Sequence, residues 1–412
     1  MAIFRQANSS GLTDVPGFEV AGIHCDIRGK EDGRLDLALI RSLRPASAAG
    51  VFTRNALAAA PVRLCRDVLA GGRPVRGLVV NSGNANACTG GQGLSDAMRM
   101  RALAADGLHC SEEAVFVCST GRIGEPLPME RIDHGVAIAA GKLSAHGDAG
   151  LLAAEAILTS DTRRKVATYR METPSGPVML AGMAKGAGMI EPDMATMLAF
   201  LTTDADIEQT FLQEMLREAV DDSFNRITVD GDASTNDSVL LLANGASGIT
   251  VVRESETAPA FKEALEALCR DLALMIVGDG ERTTKVVEIR VSGASSDEDA
   301  RRAGRAVANS LLVKSSWFGN DPNWGRIMDA LGYSGALLDE QSVRIAYGDW
   351  ESGPAADAFA RGRVLTGNRA TWKAIVAADR FRIEIDLGKG GASYRIWSTD
   401  LTEGYVNFNK SE

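Results

Sequence analysis

Short strand-forming runs that alternate apolar and polar residues recur along this chain, and they restrict its fold more than any other feature. "VVEIRVSG" (Val286 to Gly293) and "RFRIEID" (Arg380 to Asp386) alternate with period two, which turns one apolar face toward a core and one polar face away from it. "RGLVVNSG" (Arg76 to Gly83) and "AVFVCSTG" (Ala114 to Gly121) are short continuous β-rich runs ending in small polar residues and Gly, the pattern of a buried strand that delivers a loop. Helical patterns interleave with them. "SDAMRMRALAADG" carries helix formers and stops at Gly107, and "DIEQTFLQEMLREAV" sets Phe211, Met215, Leu216 and Val220 on one face. Phe261, Leu265, Leu268, Leu272 and Met275 recur at helical spacing, and Ser295 and Glu298 have the spacing of a capping box. Sheets with one covered face are therefore expected, an α+β fold rather than a doubly wound parallel sheet.

The chain has 412 residues, more than the usual domain of about 100 to 200, so two lobes or one large layered fold are expected. The stretch from Pro192 to Ala205 lacks linker composition, and a division there would fall inside a core element. A formal charge of -10 excludes binding driven by clustered cations on phosphates, and no nucleic-acid partner is expected. Cys25, Cys65, Cys88, Cys110, Cys118 and Cys269 form no CxxC pair, which argues against structural zinc and against a disulfide framework. No leader pattern and no apolar run of membrane-spanning length occurs, so a cytoplasmic address without membrane partners is expected.

Several strings carry candidate chemistry. In "KGAGMIEPDMATMLAF" a glycine-rich turn precedes Ala195 and Thr196. A threonine hydroxyl can attack the carbonyl before it and convert the amide to an ester that water cleaves. The new α-amine, with an unperturbed pKa of about 7.7 to 8.0, would serve as base to its own hydroxyl. Read locally, Thr196 is equally a strand or cap residue. "CSTGRIGEPLP" ends a strand at Thr120 and Gly121, where a hydroxyl and a backbone N–H can converge as an oxyanion requires; an ordinary strand-to-turn junction has the same pattern. "NSGNANACTGGQG" lacks P-loop and dinucleotide spacing and reads as a loop held by Asn side chains. "VDGDASTNDS" and "GDGERTTK" cluster Asp230, Asp232, Asp237, Asp279 and Glu281 without EF-hand spacing, so turn chemistry is expected of most of them, with one carboxylate open to face a cationic substrate. His24, His109, His134 and His146 sit in no triad or metal context.

Taken together, these strings resemble the ornithine acetyltransferase (bifunctional glutamate N-acetyltransferase) family. The likeness runs from "GFEVAGIHCDIR" through "VVNSGNANACTG", "STGRIGEPLP", "ILTSDT", "KGAGMIEPDMATMLAFLTTDA" and "SFNRITVDGDASTNDSVLLLANG" to "FGNDPNWGRIMDALGYSG" and "YVNFN". It implies a layered α-β-β-α-type sandwich in two lobes, with the site between them. It also implies self-cleavage between Ala195 and Thr196 into an α chain of 1–195 and a β chain of 196–412, paired in a heterotetramer. By the same resemblance Thr196 carries the acetyl group of N2-acetylornithine as an ester and passes it to glutamate. Thr120 and Gly121 match the oxyanion positions, and Thr159, Lys185, Thr196, Glu281 and Asn409 match the substrate-contacting ones. No metal or organic cofactor is implied; acetyl-CoA stays open as an alternative donor.

Three departures surround the substrate positions. The family's usual Glu-Gly-Ala-Thr-Lys reads "ERTTK" here, which sets Arg282 and Thr283 beside Glu281 and threatens to neutralise it. A terminal Thr or Ser that follows the family's "YVNFN" block would fall beyond Glu412, with Ser411 the nearest hydroxyl. "WSTDLTEGYV" lacks the usual Gly-Cys before Asp400. They keep a second reading open, a paralogue acting as an N-acyl amino acid transferase or amidohydrolase on another substrate. A third, a processing-dead binding protein, predicts a single uncut chain of 43.6 kDa.

Overall fold

The computed structural model describes residues 1–191, 197–351 and 353–410. Ala195 and Thr196 fall within 192–196, outside the described residues, as do Ser352 and Ser411. The chain packs as two compact units: Met1–Met189 with Asp193–Asn225 and Asp232–Ile276, and Ile190–Pro192 with Arg226–Gly231 and Val277–Glu412.

In the first unit the strands are β1 (Ile3–Arg5), β2 (Phe18–Ile23), β3 (Leu37–Phe52), β4 (Val75–Asn84), β5 (Val115–Arg122), β6 (Lys165–Thr173), β7 (Gly176–Lys185), β8 (Leu198–Thr203) and β9 (Ser238–Ala243). They bond in the order β1-β6-β7-β8-β9-β3-β4-β5, with β2 on β3. β3 serves two half-sheets. Leu37 to Arg41 pairs with β2 and β4, Ser47 to Phe52 pairs with β9, and the register slips between Arg41 and Ala46. Pro45 lies in that slip, where a residue without N–H costs no ladder bond.

The helices of this unit are α1 (Ala60–Ala70), α2 (Gly90–Leu108), α3 (Met129–Gly141), α4 (Gly147–Ala156), α5 (Gln209–Asp221) and α6 (Thr257–Val277). Side-chain alternation builds its layers. Leu37, Leu39, Val79, Val115 and Val117 share a core with Met100 and Leu108 of α2 and Ile132 and Val136 of α3. Their neighbours Ala38, Ile40, Leu78, Val80 and Phe116 share another with Met183, Leu198, Phe200, Leu240 and Leu242 of β7, β8 and β9. The half-sheets thus face each other. Outside the second, α6 packs on Gly182 of β7, where an added Cβ would lie 2.7 Å from Leu272. The α-β-β-α sandwich is therefore complete within the first unit. Its strands are also covered on both faces, most plainly β8 and β9, which are buried at every residue.

The second unit contains β10 (Val286–Ala294), β11 (Arg344–Asp349), β12 (Ala356–Ala360), β13 (Arg363–Val364), β14 (Arg380–Asp386) and β15 (Ala392–Thr399), in the order β13-β12-β11-β14-β10-β15. Its helices are α7 (Asp297–Asn309), α8 (Leu311–Phe318), α9 (Trp324–Gly332), α10 (Arg369–Val376) and α11 (Glu403–Phe408). Here the period-two expectation is met. Val287, Ile289, Val291, Phe381, Ile383 and Ile385 meet Val307, Trp317 and Leu331 in one core, while the intervening residues pair by charge, Arg290 with Glu288 at 2.7 Å and Arg382 with Glu384 at 2.9 Å.

Two helix ends differ from expectation. α2 passes through Gly107 and ends at His109, whose φ of 55° makes it the left-handed cap; Gly107 instead lets α3 approach, its missing Cβ 3.0 Å from that of Ala140. The cap of α7 is Ser296, which accepts from the Asp299 N–H, one residue later than the expected box. Phe211 and Met275 are half-buried, with Leu212 and Ile276 taking the core positions. β8, β9, α5 and α6 all pack in the first unit. Among the described residues no helix is long and apolar enough to cross a membrane.

Candidate active site

The parallel pair β4 and β5 carries the first group. Ser82 aligns with Thr120 and Gly83 with Gly121, so both strands deliver small residues to the same sheet end. Thr120 is buried, and Gly121 adopts a φ of 137° with an added Cβ only 2.2 Å from the Gly83 carbonyl carbon. A glycine is required there. The "NSGNANACTGG" loop is held by its asparagines as expected: Asn84 Nδ2 donates to the Glu125 and Pro126 carbonyls at 3.2 and 3.0 Å, and Asn86 Nδ2 to that of Gly93 at 2.8 Å. Asn236 Nδ2 bridges this loop and β5, donating to Ala85 O at 2.6 Å and Ser119 O at 2.9 Å.

A second group gathers around Asp161, which the sequence reading passed over. Its Oδ1 accepts from Lys165 Nζ at 2.6 Å and from the Gly186 N–H at 2.7 Å. Oδ2 accepts from the Thr159 N–H at 3.0 Å and lies 3.9 Å from Lys185 Nζ. Asp161 thereby fixes two of the expected substrate-contacting residues at once. Burial pushes its carboxyl up, but the Lys185 and Lys165 ammonium groups and the Gly186 N–H together hold it well below the usual carboxylate range. Arg34 closes the same loop from outside by donating to Thr159 O at 3.0 Å.

The third group adjoins the expected nucleophile, itself outside the described residues. Met197, the first described residue after it, donates its N–H to Asp237 Oδ1 at 2.9 Å. Asp237 is fully buried, not the turn residue the sequence suggested. Burial raises its carboxyl far above the usual range, against the smaller opposing pull of the Met197 N–H and the Lys185 charge. Its Oδ2 has no hydrogen-bond partner among the described residues. Since Asn236 holds Ser119 O, two adjacent residues tie the Thr120 strand end to the start of β8.

Glu281 and Asn409 lie in the second unit. Glu281 is half-buried in the turn before β10, closed by Thr283 N–H to Gly280 O at 3.2 Å. Asp400 anchors that turn, its Oδ1 accepting from the Thr284 and Lys285 N–H groups at 2.9 and 3.1 Å. Arg282 adopts a φ of 55°, a conformation glycine takes freely, which explains the physical fit of the family's usual residue. Its guanidinium lies 5.2 Å from the Phe408 ring centre of α11, and its carbonyl accepts from Thr402 Oγ1 at 2.8 Å. Asn409 is exposed and turns its Nδ2 back to Tyr405 O at 2.9 Å. The departure before Asp400 has a local use. Ser398 Oγ and Thr399 Oγ1 lie 3.1 and 3.2 Å from the buried Lys314 Nζ, whose pKa burial pulls down to about 7 against the charges of Asp400, Asp230 and Glu191. No metal-ligating cluster occurs among the described residues.

Residues 19–411 match the profile of the ArgJ family. The chain is 46% identical over 404 residues to the arginine biosynthesis bifunctional protein ArgJ of Symbiobacterium thermophilum, covering 98% of each chain. It is also 46% identical over 400 residues to that of Geobacter sulfurreducens, covering 96% of this chain and 98% of the other. A crystal structure of the Bacillus halodurans protein of that name is 39% identical and covers 47% of this chain and 98% of its own, with a TM-score of 0.45. With a match that spans every motif described above, the chain belongs to the ArgJ family.

Proposed function

We propose that this chain is a self-processing acetyltransferase of arginine biosynthesis that moves acetyl from N2-acetylornithine to glutamate. The observation that carries the reading is the family match along residues 19–411, which takes in the cleavage, oxyanion and substrate strings alike. Thr196 breaks the chain after Ala195, and its freed amine then activates its hydroxyl. The hydroxyl attacks the acetyl carbonyl, ornithine leaves, and glutamate takes the acetyl group from the ester in a second half-reaction. The Thr120 hydroxyl and the Gly121 N–H receive the oxyanion, at the strand end where β5 pairs with β4 through Ser82 and Gly83. Lys185 pairs with the substrate α-carboxylate, Glu281 attracts the cationic side chain of the substrate, and Asn409 is a further substrate contact. The fragments 1–195 and 196–412 assemble as pairs of αβ units.

The test is direct. Purified protein should yield a β fragment that starts Thr-Met-Leu-Ala, and should release one ornithine per site from N2-acetylornithine alone but turn over continuously only when glutamate is present. Thr196→Ala should abolish both; turnover in that variant, or no increase in ornithine release on adding glutamate, would reject the proposal. The second reading, another acyl amino acid as substrate, is favoured only by the bulk of Arg282 beside Glu281, and the same assay over a panel of N-acyl amino acids decides it.

A further inference from the structure

The string "FGNDPNWGRIMDALGYSG" is part of the family likeness, yet neither the proposed chain break nor the proposed acetyl transfer uses it. It builds the start of α9, where Asn323 caps the first turn by accepting from the Arg326 N–H at 3.1 Å. Beside that turn lies a recess of about 300 Å³, a volume at the lower end of small-ligand pockets, lined also by Val364, Thr366 and one face of α10. Arg369, Trp372 and Lys373 stand three and four positions apart on α10 and so share that face. The recess thus joins two cations to two indoles, and both indoles are fixed. Trp324 stacks on Phe359 with ring centres 5.0 Å apart, and Trp372 Nε1 donates to Asp357 O at 3.2 Å.

The local charge runs against that of the chain. Between Asp357 and Asp379 there are four cations, Arg361, Arg363, Arg369 and Lys373, and no acid, in a protein of formal charge -10. All four are exposed, and none has an ion pair among the described residues. The Gly325 N–H, in the first turn of α9, also has no acceptor among the described residues, at the helix end that favours negative charge. One carboxylate faces the recess, that of Asp321, and its Oδ2 accepts from Asn323 Nδ2 at 2.9 Å. Next to Trp372, with ring centres 6.5 Å apart, Tyr347 is fully buried, and its hydroxyl has no partner among the described residues. Unmatched cations and donors therefore outnumber the single acid.

We infer that this recess of the second unit binds a small anion that carries a flat ring: the ring packs against Trp324 and Trp372, and the anionic group pairs with Arg369, Lys373 and the Gly325 N–H. A nucleoside monophosphate and an indole carboxylate share that chemistry. None of the residues proposed to touch the acetyl-transfer substrates lines the recess, so the inference stands apart from the proposed function.

The experiment is titration calorimetry of the purified protein at low salt with adenosine monophosphate and, separately, indole-3-acetate. At least one should bind with a Kd below about 1 mM, and which of them does so tells a phosphate source from a carboxylate one. Inorganic phosphate and acetate bring the anion without the ring and should bind at least about tenfold more weakly; equal affinity would overturn the inference. Arg369→Gln with Lys373→Gln removes two exposed charges and should weaken binding by about tenfold or more. Unchanged affinity in that variant, or no binding of either ligand to the wild type, would overturn it too. A reading that needs no variant is the salt dependence of the wild type. Raising sodium chloride to about 0.5 M should weaken binding by screening the cations, and an affinity indifferent to salt contradicts the assignment.

Discussion

Gly121 has no room for a side chain, and its backbone conformation is one that other residues rarely adopt. Gly121→Ala should therefore displace the β4–β5 end and cost at least about 2 kcal/mol, read as a lower urea midpoint in the Thr196→Ala background. Asp161 is the other sensitive position. Removing its charge leaves Lys165, fully buried, without its ion pair, and Asp161→Asn should cost about 3 to 5 kcal/mol. Because that carboxyl is held low in the folded chain, its stabilisation is present above the ordinary carboxylate range of about pH 4 and is lost as pH falls below it. Acid titration of stability should show this loss in the wild type and not in the variant. Lys314 has the opposite sign. With a folded pKa of about 7, it binds fewer protons than the unfolded chain up to its ordinary value, so its contribution improves as pH rises from about 7 to about 10.5. Lys314→Met should flatten that rise in chemical denaturation.

At the scale of elements, the legible parts of the fold were those set by local pattern. The run "AVFVCSTG" became β5 and delivered Thr120 and Gly121 to a sheet end, and "VVEIRVSG" became β10 with one apolar face. What stayed hidden were pairings between distant segments. Asn236 meets Ser119 across 117 positions, and no spacing rule links them. Asp237 read as one of a cluster of turn residues and Asp161 drew no notice, because burial, which decides their chemistry, is a property of the assembled layers. One-sided sheets were expected from alternation, yet the first unit covers both faces, since a sheet that folds over at Pro45 encloses its own second face. Arg282 shows the same limit from the other side: its identity was plain, but only the structure brings it within 5.2 Å of the Phe408 ring centre.

At the scale of the whole molecule, the proposed break leaves each fragment woven into the other. β8 would open the β chain, and it pairs along its length with β7 of the α chain, from Leu198 opposite Lys185 to Thr203 opposite Leu180. Upstream of the break, Glu191 of the α chain accepts from Thr228 Oγ1 at 2.8 Å and Asn309 Nδ2 at 2.9 Å and pairs with Arg305, all in the β chain. The two pieces should therefore co-elute on size exclusion and part only in denaturant; separation under native conditions would contradict the pairing. One continuous polypeptide finds β7 and β8 by a short intramolecular search, whereas two severed pieces must first collide. The mature protein should thus regain its fold at a rate that depends on its concentration, if at all, while uncut Thr196→Ala refolds at a rate that does not. Maturation would make the molecule a one-way product, assembled once as a single thread and not readily rebuilt from its halves.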